Sequence, residues 1–318
     1  MAPSATLAEC TISADAPLDD ILALLALRGG VVVTGALSKA DSLKMLAEIQ
    51  PTLDSVLEQN RKSTHEDSFF PSTTVKFGGV ITRSDTFARK MVPHPIFHGV
   101  AKRVLSRRDK MQNIDVTPKW VTALPQVNVT SVLQIHPGAK PQTLHRDDML
   151  YHNRHPAVDK WYPDREKSML CFVALSKVTI ENGGTLFVPG SHLMGDDDVP
   201  PTYDDALRVQ GEIGDAFIML SSTYHGGGGN TLKEGDADSV RTMAAVGYNI
   251  GYLRQEENQY LALDHEILKS LPVEVQKLAG WEMSLPMAGW VEFASPMAML
   301  GVQTAQGDST YWDENQED

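Results

Sequence analysis

The sequence predicts a mainly β core framed by helices, and three observations point that way. From Pro125 to about residue 255, the runs VNVTSVLQI, SMLCFVALS, GTLFVPG, DAFIML and RTMAAVGYNIGYL follow one another between Gly, Pro, Asn and Asp. Short β-type runs with such punctuation are the texture of a β-sandwich or barrel. The pattern before them is helical, and a helical segment returns after Arg254 in DHEILKSLPVEVQKLAG. No internal repeat or low-complexity linker divides the 318 residues. The expectation is one domain, 1–318, with a helical N-terminal part over about 1–124, a β-core over about 125–255 and a C-terminal helical cover over about 256–318.

Taken in order, PLDDILALLALRGG opens with Pro17 and two aspartates and closes on Gly29 and Gly30, which are helix start and stop signals. VVVTG, from Val31 to Gly35, reads as a β-branched strand closed by glycine. Ser38 with Asp41 forms a capping-box pattern ahead of SLKMLAEIQPTLDSVLEQ. That helix is expected to break at Pro51, because proline removes a backbone donor and crowds the preceding turn. Residues 61–90 mix Ser, Thr, Gly and aromatics without a period and predict a long loop or lid. Another helix is expected from Pro95 to about Arg107.

Composition narrows the function classes. With 42% hydrophobic and 22% charged residues, the chain is an ordinary soluble type. Its net charge of −13 argues against nucleic acid or an anionic membrane as partner. Part of that charge is local, in Asp196–Asp198 and the tail Asp313–Asp318, both expected as solvated segments. Two cysteines, Cys10 and Cys171, are too few for a disulfide framework or a thiolate zinc cluster, and Cys171 in MLCFVAL is expected as a buried thiol. No apolar run reaches the ~18 residues a membrane helix needs, and the N-terminus lacks the basic region of a signal peptide. A cytoplasmic location is expected.

The chemistry starts in QTLHRDDMLYH (Gln142 to His152). In an extended strand, residues i and i+2 share a face. His145 and Asp147 then point together, with Arg146 and Asp148 opposite in framework pairs. SSTYHGGGGN supplies His225, 80 residues later. Two histidines and one carboxylate make the facial triad of non-heme Fe(II) oxygenases, and no thiolate is at hand to favour structural zinc. An H-x-D triplet alone is weak, and the context strengthens it. Arg241, at the head of RTMAAVGY, brings a guanidinium to a buried strand, where it suits the far carboxylate of 2-oxoglutarate or a structural salt bridge. The four glycines after His225 are expected to permit positive φ and close backbone approach. VPGSH reads as a tight turn, with His192 and His136 as framework residues, and His152 and His155 as loop residues.

HRDD, ENGGTLFVPGSH (Glu181 to His192), GDAFIML (Gly214 to Leu220) and YHGGGGN (Tyr224 to Asn230) resemble, in that order and spacing, the phytanoyl-CoA dioxygenase family of Fe(II)/2-oxoglutarate enzymes. GYLRQEENQYL (Gly251 to Leu261) narrows the resemblance to a fungal secondary-metabolite branch. The resemblance covers about residues 125–262 well and the N-terminal third only in general layout. It implies a double-stranded β-helix, or jelly roll, with His145, Asp147 and His225 as iron ligands. It further implies Arg241 as the 2-oxoglutarate anchor with Gln142 and Thr185 beside it, and a homodimer, with residues 285–300 or the lid near the partner. The family's anchor arginine usually follows the distal histidine more closely, so KEGDAD must bulge out as a turn; Arg254 is the fallback.

The implied enzyme is an Fe(II)/2-oxoglutarate-dependent dioxygenase that uses O2 and oxidises a hydrophobic polycyclic natural product by hydrogen abstraction. Asp147 argues for oxygenation, since halogenating members have a small residue there. Phe69, Phe70, Phe77, Met149, Leu150, Tyr224 and Tyr248 are candidate pocket residues. Tyr248 shares a face with Arg241 only if a bulge shifts the strand register, so both tyrosines read as framework residues as well; of the two, Tyr248 is expected nearer the pocket, where its phenol would serve a substrate radical. An acyl-CoA hydroxylase is the alternative, but its one dense basic cluster, AKRVLSRRDK (Ala101 to Lys110), reads as an exposed helix face. A non-catalytic jelly roll would need a broken triad, and a cupin-like isomerase or zinc hydrolase would have no use for Arg241 and Gln142.

Overall fold

The computed structural model describes residues 5–62, 69–113 and 116–302. Along the chain its strands are β1 (Thr11–Ser13), β2 (Gly30–Thr34), β3 (Thr74–Phe77), β4 (Arg107–Asn113), β5 (Val116–Ala123), β6 (Pro125–Ile135), β7 (Ser168–Ala174), β8 (Leu186–Phe187), β9 (Leu207–Arg208), β10 (Ala216–Leu220), β11 (His225–Gly226) and β12 (Arg241–Ile250). The large sheet runs β1-β2-β10-β7-β12-β6-β3, a small one runs β11-β8-β9, and β4 pairs with β5. The helices are α1 (Leu18–Arg28), α2 (Lys39–Lys62), α3 (Pro95–Leu105), α4 (Gln259–Ala262), α5 (His265–Ser270) and α6 (Val273–Gln276).

Strand alternation divides the large sheet into two faces. Cys171, Ile218, Ala244, Val246 and Tyr248 point into a core shared with Ile21, Met45, Phe97 and Leu268 of the helices. Leu170, Phe172, Phe217, Met243 and Ala245 point the other way and pack against Phe187 and Leu207 of the small sheet. The fold is therefore a jelly roll with one helical coat. Each fully buried Ile, Leu or Phe on these faces stabilises by about 1.5–3 kcal/mol.

Several local signals act as expected. α1 ends on Gly29 in the left-handed region (φ 78°), and the Ser38 hydroxyl accepts from the Asp41 N–H at 3.0 Å. The insert KEGDAD is a turn, with the Lys233 N–H donating to Asp236 at 2.8 Å and Gly235 at φ 90°.

Other expectations need correction. The N-terminal part is not helical throughout, since β1, β2 and β3 join the large sheet. β3 crosses residues 61–90, where Val80, Ile81, Phe87 and Ala88 are also buried; that stretch is only partly loop, and residues 63–68 lie outside the described residues. α2 runs unbroken through Pro51. Met45, Ile49 and Leu53 keep the buried stripe at i, i+4 spacing across the proline, so packing outweighs the lost hydrogen bond. The basic run leaves its helix at Leu105 and becomes β4, which pairs with β5. The C-terminal helix splits into α5 and α6 around Leu271–Pro272. The acidic tail 313–318 lies outside the described residues.

Candidate metal centre

His145 and His225 meet in an isolated antiparallel bridge, each N–H bonded to the other's carbonyl at 2.9 Å. Asp147 does not continue a strand. Arg146 is extended (φ −114°, ψ 134°) and Asp147 opens a 3-10 turn, Asp147–Tyr151. One extended residue between them is enough to keep His145 and Asp147 on one face. His145 Nε2 lies 3.4 Å from Asp147 Oδ1, and His225 Nε2 lies 3.4 Å from Asp147 Oδ2. The three donor atoms fall within 4.8 Å of one another.

Each histidine is oriented by a carbonyl. His145 Nδ1 is 2.8 Å from Thr143 O, and His225 Nδ1 is 3.1 Å from Thr223 O. A carbonyl only accepts, so Nδ1 carries the proton and the Nε2 lone pair faces inward, as a metal ligand requires. Burial pushes the Asp147 carboxyl up, but the two histidines, His225 foremost, more than offset it and hold the group below its usual value. Burial lowers His225. It acts the same way on His145, but the hydrogen bond and charge of Asp147 reverse the balance and leave His145 raised. A divalent ion replaces that proton-sharing with coordination, and the His–Asp–His donor set fits Fe(II).

Arg146 and Asp148 turn away into buried framework pairs. Arg146 binds Asp196 and the carbonyls of Ser191 and Met194. Asp148 meets His155 at 2.5 Å. His155 is a loop residue, as expected, and a buried one, partnered by Asp148. His192 is framework, its Nε2 2.9 Å from Ala26 O.

The triad opens into a cavity of about 770 Å³ between the sheets. Gln142, Thr185 and Arg241 line it, as do Phe69, Phe70, Phe77, Met149 and Leu150. Arg241 is 2% exposed and bonds Thr185 Oγ1 at 3.2 Å. Its Nε has no partner and no carboxylate pairs with it among the described residues; burial lowers its pKa to about 10. A buried, uncompensated guanidinium is costly unless an anion joins it, so a dicarboxylic cosubstrate fits here. Gln142 is partly engaged already, its Oε1 accepting from the Gly227 N–H at 2.7 Å and its Nε2 donating to Phe69 O at 3.3 Å.

Three expected members stand elsewhere. Tyr248 lies on the helical side, fully buried, its hydroxyl donating to Val92 O at 2.6 Å. The bulge does exist, but it inserts Asn128 into β6 between the pairs Gly247–Val129 and Tyr248–Val127. It flips the parity of β6 and leaves that of β12 intact, so Tyr248 stays opposite Arg241. Tyr224 does not line the cavity; its ring lies 4.4 Å from the Arg146 guanidinium. The fallback Arg254 lines a separate cavity of about 280 Å³ with Tyr252 and Glu282. The glycines serve close approach, with none of Gly226–Gly229 at positive φ. A Cβ on Gly227 would sit 3.0 Å from Gln142 Oε1, and one on Gly228 would overlap the Gly184 carbonyl. Two residues that sequence reasoning passed over are Glu166, buried behind the triad, and Glu256, which lines the cavity. Glu256 was visible inside RQEEN, but nothing in the string separates a cavity acid from a capping one.

The phytanoyl-CoA dioxygenase (PhyH) model matches residues 26–233. Among curated proteins, dioxygenase cnsJ of Penicillium expansum is 30% identical over 290 residues, covering 90% of this chain and 83% of that protein. Dioxygenase peniF of Penicillium patulum is 31% identical over 291 residues, covering 90% and 89%. Among solved structures, HygX from Streptomyces hygroscopicus, with nickel and 2-oxoglutarate bound, superposes with a TM-score of 0.53 at 17% identity, covering 76% of this chain and 90% of that one. SnoK, a non-heme alpha ketoglutarate dependent carbocyclase from nogalamycin biosynthesis, gives 0.51 at 18% identity, covering 77% and 89%. The two structures support the fold.

Proposed function

The chain belongs to the phytanoyl-CoA dioxygenase family and is an Fe(II)- and 2-oxoglutarate-dependent dioxygenase, and from that premise we propose that it oxidises a hydrophobic, polycyclic small molecule of fungal secondary metabolism by hydrogen abstraction. In this reading His145, Asp147 and His225 hold the iron, and Arg241 with Thr185 takes the far carboxylate of the cosubstrate. The observation that carries it is the meeting, in one cavity, of three donor atoms within 4.8 Å and a buried Arg241 with no acid paired to it among the described residues.

When bound, the iron and cosubstrate supply oxidising power from O2, with 2-oxoglutarate decarboxylated to succinate. The chain does the rest. Asp147 contributes one negative charge to a divalent centre, and its two oxygens keep both Nε2 atoms in register. Arg241 fixes the cosubstrate's orientation by a charge-assisted contact in a dry setting. Gln142 braces Gly227, which follows His225 closely and so limits drift of the ligand strand. Phe69, Phe70, Phe77, Met149 and Leu150 exclude water and set which C–H bond of the substrate lies nearest.

An acyl-CoA substrate is less well supported, because the arginines of the basic cluster are already engaged. Arg103 pairs with Asp19, Arg107 donates to the carbonyls of Val104, Ser106, Pro163 and Glu166, and Arg108 stacks over Trp120. The homodimer is proposed through residues 285–300, where Trp290 and Phe293 stack 4.3 Å apart and both stay exposed; a monomeric mass by light scattering would refute it. The functional test is anaerobic loading followed by metal analysis and succinate assay. Stoichiometric iron and O2-dependent succinate release are expected. His145→Ala, Asp147→Ala and His225→Ala should each lose both while remaining folded; full iron content in all three would overturn the ligand assignment.

A further inference from the structure

The charges lining the cavity are Lys76, Lys140, Arg146, Asp147, Arg241, Glu256 and Glu257, and all but one have a place in the framework or the site. Arg146 is tied to Asp196. Asp147 belongs to the metal triad, and Arg241 to the cosubstrate. Glu257 is saturated, accepting from the Thr130 N–H and hydroxyl, the Gln259 amide and the Gly79 N–H. Lys76 lies over the Phe70 ring, 3.5 Å from its centroid. Lys140 sits on the loop packed against Gly229, at the cosubstrate end. That leaves Glu256.

Its position is built. The Glu256 N–H donates to Asn128 Oδ1 at 2.7 Å, and the same oxygen accepts from the Tyr151 hydroxyl at 2.6 Å. Asn249 donates to Tyr151 at 3.0 Å. The bulge residue of β6 thus clamps the Glu256 segment to the far end of the turn that begins with Asp147. Asn128 itself is 2% exposed, so the clamp is rigid. The carboxylate, by contrast, is left to the cavity and its solvent. Its one side-chain partner is Asn128 Nδ2 at 3.4 Å, and no cation pairs with it among the described residues. Its side chain stays solvent-accessible at the cavity wall, while partial burial, then Asp147 and Glu257, push it up to about 7. Along β6, Val129 pairs with Gly247 and Ile135 with Arg241, so the segment clamped to Asn128 lies at the opposite end of β6 from Arg241. Between the two ends the walls are apolar and aromatic. A carboxylate carried into the cavity wall by a clamped segment, with no cation beside it among the described residues, leaves a place for one.

We propose that Glu256 is a specificity-determining residue that recognises a protonated amine, so that the substrate class is a hydrophobic, polycyclic base. This rests on the reading of the cavity as the substrate site. The amine is held at one end by Glu256, and the apolar rings lie across Phe77, Met149 and Leu150, which brings a C–H bond remote from the nitrogen toward the triad. Protonated nitrogen also resists oxidation, which directs the chemistry to carbon.

The test uses three probes with one cage: 1-adamantylammonium, 1-adamantanol and 1-adamantanecarboxylate. Each is titrated calorimetrically under argon into the Fe(II)- and 2-oxoglutarate-loaded protein. The ammonium should bind at least tenfold more tightly than the alcohol, and the carboxylate most weakly. In Glu256→Gln that preference should vanish, with the alcohol bound as in the wild type, which also reports an intact cavity. Equal binding of ammonium and alcohol to the wild type, or a preference that survives in Glu256→Gln, overturns the proposal and leaves the cavity reading standing. Failure of all three probes to bind overturns both.

Discussion

Arg241 concentrates the residue-scale physics of the site. It is a guanidinium in a nearly dry strand whose charge finds, among the described residues, only a hydroxyl, Thr185 Oγ1, and a thioether, Met243 Sδ. Arg241→Ala should raise the 2-oxoglutarate requirement by about 30-fold or more, corresponding to roughly 2 kcal/mol or above for a carboxylate that loses its buried partner. Iron content should not change; an unaltered requirement would move the anchor elsewhere. Glu166 makes a different case. It is fully buried behind the triad, accepts from Trp161 and Ser222, and is pushed up to about 7 by burial and by the Asp148 carboxylate. Its folded value lies above its unfolded 4.5, so the folded chain holds the proton more tightly. Stability from this group therefore falls as pH rises through about 4.5 to 7 and levels off above, by on the order of 3 kcal/mol in all. Glu166→Gln imitates the protonated form. Its melting temperature relative to wild type should climb between pH 5 and 8, and a flat difference would show that Glu166 does not titrate in this window.

At the scale of elements, the site depends on how closely β11 approaches its neighbours. The loop Gly183–Gly184 and the segment Gly226–Gly229 pass backbone against backbone, and a Cβ on Gly183 would meet Gly228 O at 2.7 Å. Neither partner can yield, because both are main chain. Gly228→Ala should cost about 1–3 kcal/mol of stability. It should also weaken iron binding, since His225 lies three residues upstream. A variant that melts like wild type and holds iron equally well would mean that the two strands can part. The turn Asp147–Tyr151 is the second such element. It redirects the chain after one extended residue, which lets one short peptide serve a metal ligand at one end and the Asn128 clamp at the other.

For the whole molecule, the helical coat and the jelly roll meet at Tyr248. Its hydroxyl donates to the carbonyl of Val92, in the N-terminal part, across the face opposite the cavity. Tyr248→Phe leaves that carbonyl without its partner in a dry core and should lower stability by about 1–2 kcal/mol. Uncoupled 2-oxoglutarate consumption should stay as in wild type. A variant of unchanged stability with altered consumption would return Tyr248 to the active site. The same core takes in Ile21 and Val33 from the N-terminal part and Leu268, Val275 and Leu300 from the C-terminal cover. No helix among the described residues is long and apolar enough to cross a membrane.

The donor triad was legible in the sequence because its logic is local. HRD sets His145 and Asp147 on one face through the single extended residue Arg146, and YHGGGGN marks a histidine where the backbone must be approached closely. Arg241 was legible for a similar reason, as a charge at the head of an apolar strand. The β-runs, the α1 caps and the KEGDAD turn are likewise short-range matters of propensity and punctuation. Tertiary structure decided the rest. Which strand absorbs the bulge depends on pairing between β6 and β12, residues more than a hundred positions apart, and that choice sent Tyr248 to the core. The entry of β1, β2 and β3 into the sheet depends on long-range hydrogen bonds that a 5-residue run cannot announce. Glu256 and Glu257 are adjacent and chemically identical, and only the folded chain satisfies one and leaves the other facing the cavity.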